Sequence, residues 1–163
     1  VAIPLDPATE DEKKRLIADY VKATVGNDCE VIVNGTGRYV THGPIGDCGT
    51  TGRKLVADFY GGNSKIGGGS PWGKDPSKAD VTLNILARVK ALEYLREHRL
   101  DEVRCAISCC IGRPEIRVSF FDKADKLLET HVESEPPSHV VDLLGLREPG
   151  YAQACMEGLF GNE

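Results

Sequence analysis

The stretch "EVRCAISCCIGRPEIRVSFFD", residues 102–122, decides the fold. Its first run sets Val103, Cys105, Ile107 and Cys109 on one face of a strand, because successive side chains of a strand point to opposite faces. Its second run alternates Ile116, Val118 and Phe120 with Arg117, Ser119 and Phe121, the pattern of a strand buried on one side. Gly112–Pro114 lies between them and joins the two. Upstream, Ile85, Val89, Leu92 and Leu95 recur at helical intervals and predict a long helix over about Val81–His98. Downstream, "KADKLLETHVES" (123–134) predicts another strand and "SHVVDLLGL" (138–146) a short helix. The end, "EPGYAQACMEGLFGNE", is helical only in part.

Further out, a helix is expected over about residues 10–25. Leu16, Ile17, Tyr20, Val21 and Thr24 share a side, Thr9 and Glu12 have capping-box spacing, and Gly26 is placed to end it. "CEVIVN" (29–34) and "RYVTH" (38–42) predict two short strands around a "GTG" turn. Helix, strands, glycine-rich loops, helix, strands and helix in that order define an α+β class, with largely antiparallel strands and helices on one sheet face. No internal repeat occurs.

The chain has 163 residues, 40% hydrophobic and 28% charged, with a net charge of −5. That balance argues against a dedicated nucleic-acid binder, which carries a basic excess. No apolar run approaches the roughly 20 residues that span a bilayer. The start, "VAIPLDPATEDEKK", lacks the basic and apolar regions of a signal peptide. It begins with Val, so a processed or partial chain is expected. Six cysteines, at 29, 48, 105, 109, 110 and 155, form no C-x-x-C pair. Cys105, Cys109 and Cys110 read as small buried hydrophobes rather than as zinc ligands or disulfides, and a reducing, cytoplasmic setting is expected.

From Gly43 to Asp80 the chain carries 10 of its 18 glycines. An irregular stretch of that length in a domain is functional or disordered; within it, "TGRKLVADFY" could form a short helix. Glycine lets backbone N–H groups turn toward an anion. Arg53, Lys54, Lys74 and Lys78 add four cations, and Asp47 and Asp80 two carboxylates. A magnesium polyphosphate needs that mixture, cations on the phosphate oxygens and carboxylates on the metal. The segment is not a P-loop: Gly46 and Gly52 stand one residue too far apart, Arg53 takes the lysine position, and no Ser or Thr follows. Taken singly, each residue has an ordinary reading. Lys78 would be solvated, Asp80 an N-cap, Asp75–Pro76 a turn, and Trp72 and Tyr39 packing residues.

Together these residues say more. "NGTGRYVTHGPIGDCGTTGRKLVADFYGG" followed by "GGGSPWGKDPSKAD", residues 34–80, resembles the C-terminal part of the S-adenosylmethionine synthetase (methionine adenosyltransferase) family. The family pattern runs N-P-T-G-[RK]-F, G-G-P-x-G-D-x-G-L-T-G-R-K, D-x-Y-G-G, then G-G-G-A-x-S-G-K-D-x-[ST]-K-V-D. "CAISCCIGRPE" and "EPGYAQACMEGLFG" resemble later family segments more weakly. The resemblance implies an enzyme that joins ATP and L-methionine, uses Mg²⁺, is stimulated by K⁺, and works as a homodimer or dimer of dimers with its site between subunits. Its fold is three similar α+β units around a pseudo-threefold axis. Residues 1–33 would end the middle unit and 34–163 supply the last.

Carried over by position, Arg38 and Tyr39 match the pair on the adenosine, with Tyr in place of Phe. Asp47 matches an aspartate near methionine and adenosine. Arg53 and Lys54 match the phosphate-gripping pair, and Ser70 stands at a nucleotide-contacting alanine. Lys74 matches a phosphate-binding lysine, Lys78 a lysine on methionine and ATP, and Asp80 an aspartate at the metal. The resemblance assigns catalysis to Lys74, Lys78 and Arg53. Departures are Gly35 for Pro, Ile66 for His, Val81 for Arg and Leu159 for His. The family's H-P-D-K motif and D-G-K lysine do not occur in these 163 residues. A synthetase portion inactive alone is therefore expected. The alternatives are a shortened homologue that binds or regulates a full subunit, and an unrelated polyphosphate binder.

Overall fold

The computed structural model describes residues 1–49, 54, 69 and 74–156. The chain divides into two units, Val1–Thr50 and Thr51–Glu163.

In the first unit, helix α1 spans Glu10–Val25, as its apolar spacing predicts. Gly26 ends it at φ 108°, its amide donating to Lys22 O. The capping box does not form: Thr9 makes no side-chain cap bond, and its Oγ1 is buried without a hydrogen-bond partner. The helical stripe stays open, with Leu16 and Tyr20 both exposed.

The strands expected at 29–34 and 38–42 are replaced by irregular segments. The reason is Asn34. It sits at φ 52°, and its side-chain amide, rather than a backbone ladder, pairs with Ile3: Ile3 N donates to Oδ1 and Nδ2 donates to Ile3 O, both at 2.9 Å. Single bonds from Asn34 N to Val1 O and from Leu5 N to Tyr39 O finish the joint. Helix α2, Gly43–Gly46, is a single turn.

In the second unit, helix α3 spans Ala79–His98. Its N-cap is Lys78, not Asp80, which lies in the first turn where its charge suits the helix dipole. The helix ends at Arg99, held left-handed at φ 53°, with Leu100 N donating to Leu95 O. Strands β1 (Arg104–Cys109), β2 (Glu115–Phe121) and β3 (Leu127–Ser134) form, among the described residues, one antiparallel sheet in sequential order. Cys105 faces Phe120 and Ile107 faces Val118 across β1 and β2. The β1–β2 turn closes from Arg113 N to Cys110 O around Gly112 at φ 90°, a backbone angle that suits glycine. The Asp122 carboxylate accepts from Ala124 N and Lys126 N and fixes the β2–β3 turn.

The period-2 pattern of β2 is realised. Ile116, Val118 and Phe120 are buried against Leu86 of α3 and Val140 of α4, which spans Pro137–Leu143. Val103, Cys105 and Ile107 pack against the same cluster, and Tyr94 stacks on Phe120 at 4.0 Å. Both helices thus cover one face, and the class is α+β, as the sequence predicts. The other face carries polar and exposed residues. Ser119 Oγ and Thr130 Oγ1 lie 2.9 Å apart on it, Val132 is exposed, and the Arg104 guanidinium stands 5.1 Å over the Phe121 ring. A last helix, α5, spans Tyr151–Met156. No described helix is long and apolar enough to cross a membrane.

Candidate functional site

In the first unit, Tyr39 and Asp47 come together. They line a depression of about 290 Å³ with Thr41, His42, Gly43 and Gly46. Asp47 is fixed at both ends: its amide donates to Gly43 O and its Oδ1 accepts from Gly49 N at 2.7 Å. Tyr39 is 39% exposed. Arg38 is not part of that lining. Its guanidinium pairs with Glu10, 3.4 Å from Nε to Oε2, and Lys14 reaches the same carboxylate at 2.7 Å.

In the second unit, the start of α3 gathers the charges. Asp75 and Pro76 form the expected turn: Lys78 N donates to Asp75 O, and Asp75 Oδ1 accepts from Ser77 N. Hydrogen bonds from the Ser77 side chain and from its amide, with Lys78 nearby, hold the Asp75 carboxyl below its usual range. The turn folds Lys74 back onto the helix, where its ammonium forms an ion pair with Asp80. Gly69 closes the third side, since a Cβ added there would overlap the Asp80 carboxylate. The Asp80 carbonyl accepts from Asn84 Nδ2 at 2.6 Å.

A cavity of about 270 Å³ is lined by Ser77, Lys78 and Ala79 at the start of the same helix. Leu83, Ile111, Ile116 and Val140 form its apolar wall, and Lys78 and Arg113 are also among its lining residues. Cys109 and Cys110 also line it and are exposed free thiols, not the buried hydrophobes expected of them. The reason is position: Cys109 is the last residue of β1 and Cys110 begins the turn. Partial burial, then the neighbouring Cys110 and Asp80, raise the Cys109 thiol above its ordinary range. The sequence reading missed this cavity because its walls come from α3, the β1–β2 turn and α4; only the Gly112 turn signal pointed there.

Of the other predicted site residues, Lys54 is exposed, and Arg53 and Ser70 lie outside the described residues, as does the helix suggested for "TGRKLVADFY". Among the described residues no group of three or more His, Cys, Asp or Glu is arranged to hold a metal ion. Asp80 therefore fits a metal only as one carboxylate ligand. That is how Mg²⁺ is commonly held beside a polyphosphate, whose oxygens and water complete the shell.

The second unit is thus an α+β domain with Lys74, Lys78 and Asp80 gathered at the start of a helix. The comparisons narrow the class. Residues 41–163 match the family S-adenosylmethionine synthetase, C-terminal domain. The S-adenosylmethionine synthase of Oleidesulfovibrio alaskensis is 37% identical over 145 residues, covering 83% of this chain and 37% of that relative. That of Nitratidesulfovibrio vulgaris is 33% identical over 93% of this chain and 42% of its own length. That of Brachyspira hyodysenteriae is 33% identical over the whole chain and 46% of its own length. The chain belongs to the S-adenosylmethionine synthetase family. It spans less than half the length of the relatives it matches.

Proposed function

We propose that this chain supplies the C-terminal side of a methionine adenosyltransferase site, which makes S-adenosylmethionine from ATP and L-methionine with release of pyrophosphate and phosphate. The observation that supports it most is the Lys74–Asp80 pair at the start of α3, where Lys78 lines a cavity, within the segment that matches the synthetase domain. The methionine sulfur attacks the ribose 5′ carbon and the triphosphate leaves; water then hydrolyses the triphosphate to pyrophosphate and phosphate. A thioether carries no proton to remove, so no general base is needed. The work is positioning and charge neutralisation.

Arg53, Lys54, Lys74 and Lys78 hold the triphosphate oxygens in this reading. Tyr39 stacks on adenine, with Arg38, Asp47 and Ser70 around the nucleoside and methionine. The apolar cavity beside Lys78 is suited to a thioether side chain. Asp80 would hold Mg²⁺, which when bound screens the growing charge on the phosphates. The role of K⁺ rests on the resemblance alone. Residues 1–33 would complete the middle unit of the pseudo-threefold fold and 34–163 form most of the last, in a homodimer or dimer of dimers within the cytoplasm. Catalysis then belongs to the longer synthetase, and the 163-residue chain alone forms no S-adenosylmethionine.

Calorimetric titration of the chain with magnesium tripolyphosphate tests the site. Binding by the wild type that Lys74→Met abolishes supports it. Equal binding by both proteins, or none by the wild type, refutes it. Formation of S-adenosylmethionine by the purified chain would refute its expected inactivity.

A further inference from the structure

We infer that the Lys74–Asp80 pair masks the site, and that Gly69 is the positioning residue that keeps the mask in place. This rests on the reading of Lys74 as a phosphate cation and Asp80 as a metal carboxylate. Lys74 and Asp80 are six residues apart, yet their charged ends meet across the Asp75–Pro76 turn. Their side chains are 23% and 36% exposed, so the pair is partly shielded from water and salt. Lys74 cannot give its full charge to a phosphate while Asp80 holds it, and Asp80 cannot coordinate a metal while it faces the ammonium. Each ligand releases the partner of the other. A cation that takes Asp80 draws that carboxylate off Lys74, and an anion that takes Lys74 draws the ammonium off Asp80.

Gly69 sets the geometry. A methyl group there would overlap the Asp80 carboxylate. That carboxylate is the far end of a side chain, so it can swing aside with little effect on the fold. Swinging aside takes it off Lys74. Gly69→Ala therefore opens the pair without changing the charge of the site, whereas Asp80→Asn opens it and removes a negative charge.

The test titrates the 163-residue chain with sodium tripolyphosphate, once in EDTA and once with saturating Mg²⁺. In EDTA, Asp80→Asn and Gly69→Ala bind roughly twofold to fivefold more tightly than wild type, the scale of one partly screened ion pair. With Mg²⁺ the order reverses, and both variants bind more weakly than wild type because Asp80 is lost or misplaced. This crossover is a readout that a merely structural glycine would not give. If Gly69→Ala weakens binding in both conditions, or changes neither, the mask is overturned. A gain in EDTA by Asp80→Asn alone also overturns it, since removing any nearby negative charge would do the same. If Lys74→Met binds magnesium tripolyphosphate as wild type does, the phosphate reading itself fails, whatever the glycine variant shows.

Discussion

Lys90 of α3 and Glu133 of β3 meet at 2.7 Å between Nζ and Oε2, with side chains 18% and 25% exposed. His131 Nε2 lies 2.8 Å from the other oxygen of the same carboxylate. Helix and sheet are joined by a polar clasp at the edge of an apolar core.

The clasp sets an acid limit. Burial alone would raise the Glu133 carboxyl, but the hydrogen bonds from Lys90 and His131 outweigh it and hold the group below 4.5. A folded-state value under the unfolded one stabilises the fold above about 4.5 and withdraws that help as pH falls through the folded value. Urea unfolding at pH 7 and pH 3 should show Glu133→Gln losing less stability on acidification than wild type, by about 1 kcal/mol. Equal losses would remove the clasp from the explanation.

Leu86 is 1% exposed and packs on Ile116, Val118 and Phe120. Truncation to alanine removes apolar contact and leaves a cavity, so Leu86→Ala should cost about 2–5 kcal/mol in denaturant unfolding. A loss under 1 kcal/mol would mean that the two helices repack freely on the sheet.

Arg99 holds a left-handed angle that disfavours any residue with a Cβ. Arg99→Gly relieves this at a helix end while loosening the unfolded chain, for a net gain of about 0.5–1 kcal/mol. Arg99→Ala keeps the penalty and should gain nothing. A thermal melt in which alanine equals glycine would contradict the assignment.

Burial raises the Cys105 thiol to about 11. The thiolate is the nucleophile, so at pH 8 Cys105 should react with a disulfide reagent only after unfolding. The Cys105→Ser variant should then lose one thiol from the slow, denaturant-released phase and none from the fast phase.

The sequence is most readable where one period rules. Ile116, Val118 and Phe120 bury as their alternation requires, and α3 begins two residues before its predicted start. Reading fails where a single side chain replaces a backbone pattern. Asn34 turns two apolar runs into irregular segments by bonding Ile3 itself. Thr9 and Glu12 have the spacing of a capping box, but the Thr9 hydroxyl is buried away from the helix amides. At the candidate site the motif names Lys74, Lys78 and Asp80, but no spacing rule says that Lys74 turns back onto Asp80. That depends on the Asp75–Pro76 turn and on Gly69 leaving room for the carboxylate.

Tyr94 lies between two other rings, Phe120 at 4.0 Å on the sheet side and His98 at 4.0 Å one helical turn along. Such stacking gives the phenol a fixed, asymmetric optical environment. The residue is thus a built-in gauge of α3 docking: its near-ultraviolet dichroism should vanish when the helix lifts from the sheet, with no label attached.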